Sequence, residues 1–334
     1  MMTKETIHLR RRSARIIESL KRDVFALTYH GERQVGSKGH RAARDYLIGR
    51  LTGLGISPYT GSSFELPYHD PGEDFVNLAA RITGRSGDRK PVLIGAHYDT
   101  CGPYPGADDN ASALAIALAA AEKLRSAVLD RDVIIVFFDA EEPPYFLTKL
   151  MGSINFYSSQ MKEEIGCAII MDLVGHDVSI TGYEDLLFIT GMESNSELET
   201  VIKATDSGGG LRVLPTLNSY VGDMSDHHIF RVNDIPYLFL SCGRWEHYHM
   251  PTDTPEKLNY KKMWAMADYL VKLVISCNGA EFSQGLSNYD STPTELHCMN
   301  SVFAELFQKY GIGELQSRED IARVVRMMKA TYGL

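Results

Sequence analysis

Seven side chains in this sequence are imidazoles or carboxylates placed where they can meet: His97, Asp99, Asp109, Glu141, Glu142, Asp172 and His249. All but Asp109 follow a short apolar run. His97 and Asp99 come directly after VLIGA, and Asp109 lies in the turn-rich GADDNASA beyond them. Glu141 and Glu142 follow VIIVFFDA, Asp172 follows GCAIIM, and His249 follows YLFLSC across a short loop. A set of His, Asp and Glu without thiolate is what catalytic divalent-metal sites use, as distinct from closed structural zinc sites. Two ions about 3.5–4 Å apart need a bridging carboxylate and terminal nitrogen and oxygen ligands, with positions left open for water and substrate.

Taken one at a time, most of these residues have plainer explanations. Asp108, Asp109 and Asn110 suit a helix N-cap ahead of ASALAIALAAAEKL, a role that Asp and Asn often fill. Glu141 and Glu142 before Pro143 and Pro144 suit a solvated turn. A lone His249 is more often a hydrogen-bonded structural histidine than a ligand. Asp172 is harder to dismiss, because a carboxylate at the rim of a buried strand needs a partner. The spacing His97-Tyr98-Asp99 turns two side chains to one face of an extended backbone, which lets Asp99 orient the imidazole. The neighbours Glu141 and Glu142 point in different directions, so one can hold a metal while the other handles its water.

The elements that must position these groups are readable from the apolar pattern. Residues 75–82, 92–96, 133–138, 167–171, 186–190 and 237–241 are apolar on both faces and rich in Val, Ile and Phe, as buried strands are. Residues 111–127, 196–205 and 255–276 read as helices. Ile16, Leu20, Val24 and Leu27 add a first helix, with Arg10, Arg11, Arg12, Arg15, Lys21 and Arg22 as its solvated back. The alternation predicts an α/β three-layer sandwich whose central sheet is mixed, mostly parallel and flanked by helices. In such a sheet the functional crevice lies at the carboxyl ends of the strands. Four strand ends can therefore bring the acids and imidazoles to one point.

A catalytic domain is expected over 1–277, and 278–334 reads as a linker and a C-terminal helical extension. That extension holds a loop over 278–294 and helices over 295–309 and 317–330, the last opened by a capping-box pattern of Ser317 and Asp320. Composition excludes other classes. With 334 residues and 44% hydrophobic content the chain can bury a large core. A net charge of -9 speaks against a nucleic-acid partner, which needs a basic face. No run approaches the ~20 apolar residues of a membrane span, so no membrane partner is expected. The cysteines, 101, 167, 242, 277 and 298, are odd in number and scattered; they fit reduced thiols in a cytoplasm.

In order and approximate spacing, HYD, GADDNASA, DAEE, MDLVG, SDH and YHMPTDT resemble the motifs of zinc-dependent exopeptidases that include bacterial leucyl aminopeptidases. The resemblance covers roughly residues 77–259 and begins with NLAARITG. It implies an aminopeptidase acting on peptide substrates. His97 and Asp172 would complete one zinc and Glu142 and His249 the other, with Asp109 bridging both and joined to Asn110 by a cis peptide. Asp99 would orient His97, and Glu141 would act as general base on a metal-activated water. Tyr248 would donate a hydrogen bond to the oxyanion. Cobalt or manganese suits the same ligands. Asp226 and His227 of SDHHIF read as structural or outer groups, His247 as a rival to His249, and His30, His40 and His69 as surface residues.

Two features depart from the simple aminopeptidase pattern. PPYFLTKLM between Glu142 and Gly152 is longer than a direct turn, and DLVG resembles the glutaminyl cyclases, which share the fold and binding residues but hold one zinc, cyclise N-terminal glutamine, and line the pocket with tryptophan. Here Tyr248 precedes the last ligand and Trp245 lies a few residues earlier. A third reading, a binding module of this fold without activity, would require lost ligands, and none is lost.

Overall fold

The computed structural model describes residues 4–282 and 289–332, with side chains from residue 13 onward. The side chains of Arg10, Arg11 and Arg12, and residues 283–288 of the expected loop, lie outside the described residues.

Among the described residues nine strands form one mixed sheet: β1 (Ser57–Pro58), β2 (Glu65–Asp70), β3 (Glu73–Ile82), β4 (Val92–His97), β5 (Val133–Phe138), β6 (Cys167–Met171), β7 (Leu186–Thr190), β8 (Arg212–Pro215) and β9 (Tyr237–Ser241). Their order is β1-β3-β5-β4-β6-β9-β7-β8, with β2 also pairing β3. The centre, β5-β4-β6-β9, is parallel throughout, while β3 and β7 join it antiparallel. All four central strands are buried along their length, which is why their sequences are apolar without alternation. The chain leaves β4 for β5 on one side and returns to β6 on the other, so the order of the strands reverses at β4. Such a switch point opens a crevice at the carboxyl ends of the strands.

Helices α1 (Lys4–Thr28) and α3 (Ala113–Leu124) pack on one face together with the helix Tyr260–Gly279. In α3 the run of alanines is buried almost throughout, and small side chains of high helix propensity let it lie close against the sheet without a polar face. Phe156, Ile229 and Phe230 cover the other face. Gly95 in β4 is required by that second layer: a Cβ there would sit 2.6 Å from both Ile170 Cδ1 and Phe138 Cε2.

Strands β1, β2 and β8 and helix α2 (Lys38–Gly53) carry no strong apolar signal. β2 holds Pro67 and is only partly buried, as befits an edge strand. Helix α2 starts at Ser37, whose hydroxyl accepts the His40 N–H at 3.0 Å. The helix expected over 255–276 begins with a short 3-10 turn, Pro255–Lys257, before Tyr260.

The C-terminal segment packs on its own chain. Met299, Phe303, Phe307, Ile321, Val324 and Met328 share a cluster with Leu186 of β7 and Leu214 of β8. The single helix expected over 295–309 is two, Thr292–Val302 and Ala304–Tyr310. They break at Phe303, whose backbone leaves helical geometry as its ring becomes fully buried. The last helix, Arg318–Tyr332, is capped as expected, Ser317 Oγ accepting the Asp320 N–H at 3.2 Å. Among the described residues no helix is long and apolar enough to cross a membrane.

Candidate metal centre

The parallel strands deliver their chemistry side by side. β4 ends in His97, Glu141 and Glu142 lie three and four residues past the end of β5, Asp172 follows β6, and His249 is carried by the loop after β9. Asp109 sits in a widened, irregular helical turn, Ala107–Ser112, just before α3, and the backbone leaves helical geometry at Asp109 and Asn110 themselves. The Asp109–Asn110 peptide is cis.

Asp109 stands at the middle. Its Oδ1 is 3.3 Å from His97 Nε2 and its Oδ2 is 3.1 Å from His249 Nε2. Beyond His97, Asp172 Oδ1 lies 3.7 Å and Glu141 Oε2 3.9 Å from the same Nε2. On the other side Glu142 Oε1 is 3.2 Å from His249 Nε2. The five residues expected as ligands thus fall into two groups about Asp109, with Glu141 beside the first. His97 is fully buried, and neither of its ring nitrogens has a hydrogen-bond partner; Asp172 Oδ1 has none either. Buried polar atoms are seldom left so. Divalent cations seated among these nitrogens and oxygens would satisfy them, and the donor set fits.

The remaining expected groups are close by. Asp99 Oδ1 is 3.4 Å from His97 Nδ1, and the two oxygens of Asp99 accept the N–H groups of Glu141 and Glu142, both at 3.0 Å. Asp99 therefore fixes both glutamates as well as facing the imidazole. Tyr248 stacks on His249, ring centroids 3.8 Å apart, under the Arg244 guanidinium. Burial beside Asp109, Asp172 and Glu142 pushes its phenol pKa up, so it stays protonated and able to donate.

Residues that carry no motif signal shape the loop. Arg33, fully buried, donates to the carbonyls of Tyr98 at 2.8 Å, Pro105 at 2.5 Å and Gly106 at 2.9 Å. Burial lowers its pKa to about 10. Gly106 has φ +58°, and a Cβ there would meet the Asp109 carbonyl oxygen at 2.3 Å. Asp253, in the PTDT stretch, accepts the N–H groups of Asp108 and Asp109. Asp108 is turned away from the centre, to Gly175 N at 2.7 Å and His176 Nδ1 at 2.5 Å. Three non-glycine residues here are left-handed: Ala140 before Glu141, Leu173 after Asp172, and His249 itself. Such backbone persists only where its surroundings enforce it, and it gathers at functional sites. Cys101 also reaches the second group, its Sγ within 4.8 Å of a Glu142 carboxylate oxygen and a His249 ring nitrogen. Burial and the nearby acids push its thiol up to about 11.

The other histidines separate cleanly. His40, expected at the surface, is buried instead: its Nε2 lies 2.7 Å from Asp139 Oδ1 and its ring stacks on Tyr98. The unread helix α2 carries it inward, where with Asp139 it pins the strand end before Glu141. His30 and His69 are exposed. His247 Nδ1 lies 2.9 Å from Thr252 Oγ1, away from the metal-ligand groups. His227 stacks on Phe239 with Nε2 3.0 Å from Asn218 Oδ1, and burial lowers its pKa to about 4. Asp226 is fully buried and burial raises it to about 7.

Metal-free, the cluster retains protons. Burial works against a charged His249, but the Asp109 and Glu142 carboxylates outweigh it and raise its pKa from 6.5 to about 10. Burial, then Asp109, raises Glu142 from 4.5 to about 8. Between these limits the folded, metal-free protein holds more protons than the unfolded chain, so its stability falls as pH rises. For His249 the contribution is complete below 6.5 and lost as pH passes about 10. Bound metal requires the same groups deprotonated. The gap in Tm between metal-loaded and chelated protein should therefore widen by several degrees from pH 6 to pH 9 in calorimetry. A gap that stays constant or narrows would contradict the titration order.

A model of peptidase family M28 matches residues 77–274, more than half of the chain. The uncharacterized protein YfbL of Escherichia coli is 28% identical over 249 residues, covering 60% of this chain and 77% of that protein. Among solved structures, the LapA aminopeptidase of Legionella pneumophila superposes with TM-score 0.66 at 16% identity, covering 84% of this chain and 77% of that one. The Porphyromonas gingivalis glutaminyl cyclase gives 0.62 at 19% identity, covering 77% and 97%. At such identities the structural likeness speaks for the fold, whereas the matched stretch runs from Asn77 in β3 through all seven acids and imidazoles gathered at the centre, His97, Asp99, Asp109, Glu141, Glu142, Asp172 and His249, and the chain belongs to peptidase family M28.

Proposed function

We propose that the protein is a metal-dependent aminopeptidase that removes single residues from the N-termini of peptides, using zinc. The observation that carries this is the convergence on Asp109 of His97, Asp172, Glu142 and His249, delivered from four strand ends, with His97 buried and unbonded at both nitrogens. His97, Asp109 and Asp172 would hold one ion, and Asp109, Glu142 and His249 a second. Divalent cations bound there supply Lewis acidity, polarising a scissile carbonyl and lowering the pKa of a water in the cleft.

The chain's own groups do the rest. Glu141 sits beside the first group, its Oε2 3.9 Å from His97 Nε2, and its N–H is held by Asp99. Its carboxylate takes the water's proton as oxygen attacks the carbonyl carbon, and passes that proton to the leaving amine when the C–N bond breaks. Tyr248, kept protonated, donates to the oxygen on which charge develops. Asp253 and Arg33 hold the loop that carries Asp109 in register. Five unpaired cysteines suit a reducing compartment, and a cytoplasmic site of action is proposed with them.

A cyclase shares the fold, so the distinction rests on the pocket. Trp245 stacks on His176 at 4.6 Å and Trp264 packs against the core of the helical layer, leaving Tyr248 as the aromatic beside the last ligand. Incubation with leucyl anilide and with Gln-initiated peptides decides it. Amine release that stops with chelator and returns with zinc is expected. Pyroglutamate formed without released amine would overturn the proposal.

A further inference from the structure

The loop after β4 brings a sulfur donor to a centre whose other groups are imidazoles and carboxylates. Cys101 is a free, half-buried thiol two residues past Asp99. Its neighbour Thr100 is fixed in place, the hydroxyl accepting the Arg33 N–H at 2.8 Å. The Cys101 Sγ, a carboxylate oxygen of Glu142 and a ring nitrogen of His249 all lie within 4.8 Å of one another. Zinc bonds of ~2.3 Å to sulfur and ~2.0–2.2 Å to nitrogen or oxygen keep the donors of one ion within ~4.5 Å. The metal-free set is close to that spacing.

Two further observations point to a cation at the same place. A recess of about 10 Å³ opens between Cys101, Asp109, His249 and Met250. That is about the ~10 Å³ that a single water requires, and a divalent cation is smaller than water. Apart from the thiol, His97 is fully buried with both ring nitrogens unbonded, and one of them lies within 4.8 Å of carboxylate oxygens of Glu141 and Glu142. The unsatisfied imidazole thus faces the same carboxylate, Glu142, that Cys101 faces.

We infer that Cys101 is a metal ligand of this protein, its thiolate joining Asp109, Glu142 and His249 as the fourth donor to the second ion. As the sulfur gives an electron pair to the ion, the S–H proton leaves to solvent. Four protein donors fill a tetrahedral zinc, whereas three leave a position open. The second ion is then closed, and the group of His97, Asp109 and Asp172, with Glu141 beside it, keeps the place for water. A thiolate also favours zinc over manganese, which suits oxygen donors. The inference rests on the reading that Glu142 and His249 hold an ion.

The test uses the full chain loaded with zinc or with cobalt and reads the metal's own neighbours. X-ray absorption at the zinc edge should show a sulfur at ~2.3 Å, and the cobalt form should show a sulfur-to-cobalt charge-transfer band in the near ultraviolet. Both signals should vanish in Cys101→Ser and Cys101→Ala, which leave Cys167, Cys242, Cys277 and Cys298 in place. Against a competing chelator, Cys101→Ala should lose one of its ions at least ~10-fold more readily, since even a group that only supports a ligand is worth that much. Thermal melts check that the variants fold; should neither fold, the spectra of the unaltered protein still decide. Bound zinc with no sulfur neighbour in the unaltered protein, or a sulfur signal that persists in the variants, would overturn the inference and leave the aminopeptidase reading standing. A chain that binds no zinc would overturn both.

Discussion

Glu141→Gln should retain the metal content of the unaltered protein and lose roughly 10²–10⁴-fold in turnover, the range that general acid–base catalysis supplies. The substitution keeps shape and volume. It also keeps the backbone N–H that donates to Asp99, so the loop holding Glu142 is undisturbed. What it removes is a proton acceptor. The Glu141 carboxyl is fully enclosed, and burial, opposed in part by His97 and reinforced by Glu142, holds its pKa well above 4.5. Elemental analysis with steady-state kinetics checks both halves of the expectation. Normal turnover would remove Glu141 from the chemistry, and lost metal would move it into the ligand set.

Asp109→Asn should have the opposite signature, with metal lost first and activity falling with it. Asp109 faces both imidazoles with separate oxygens, Oδ1 toward His97 at 3.3 Å and Oδ2 toward His249 at 3.1 Å. An amide in its place keeps the backbone bond to Asp253 but turns an N–H₂ toward one of the two groups. A donor pointing at a cation is repelled, and the remaining oxygen serves only one side. The loss of affinity should exceed the ~10–100-fold that follows removal of a group merely supporting a ligand. After dialysis, fewer than one ion per chain and no measurable turnover are expected. Two retained ions would show that Asp109 does not bridge.

The strands and the convergence of the acids were legible because the central sheet is buried on both faces. Residues 133–138, 167–171, 186–190 and 237–241 form strands with the bounds expected from their apolar runs. Each acid or imidazole next to such a run had to emerge at a strand end. Edge strands gave no such signal: β2 carries Pro67 and only one of its six residues is buried. His40 was misplaced for a related reason. Helix α2 has few large apolar residues, and its buried face is made largely of Gly39, His40 and Ala43 alongside two leucines, so no apolar stripe announced that His40 points inward. Arg33 was invisible because its partners are backbone carbonyls 65 to 73 residues away. Nothing in a local pattern encodes a long-range bond to main chain. Asp253 lay in a stretch already singled out, yet its bonds to Asp108 and Asp109 depend on how two distant loops meet. The break at Phe303 likewise follows from burying one aromatic ring against Tyr183, a tertiary demand that overrides helix propensity.

Anomalous scattering at the zinc edge, from crystals of the zinc-loaded protein, decides whether these side chains share one centre. Two peaks about 3.5–4 Å apart are expected, one beside His97 and Asp172, the other beside Glu142 and His249, with the Asp109 carboxylate between them. A single peak, or peaks away from these five residues, would contradict the two-ion centre from which the proposed hydrolysis is derived.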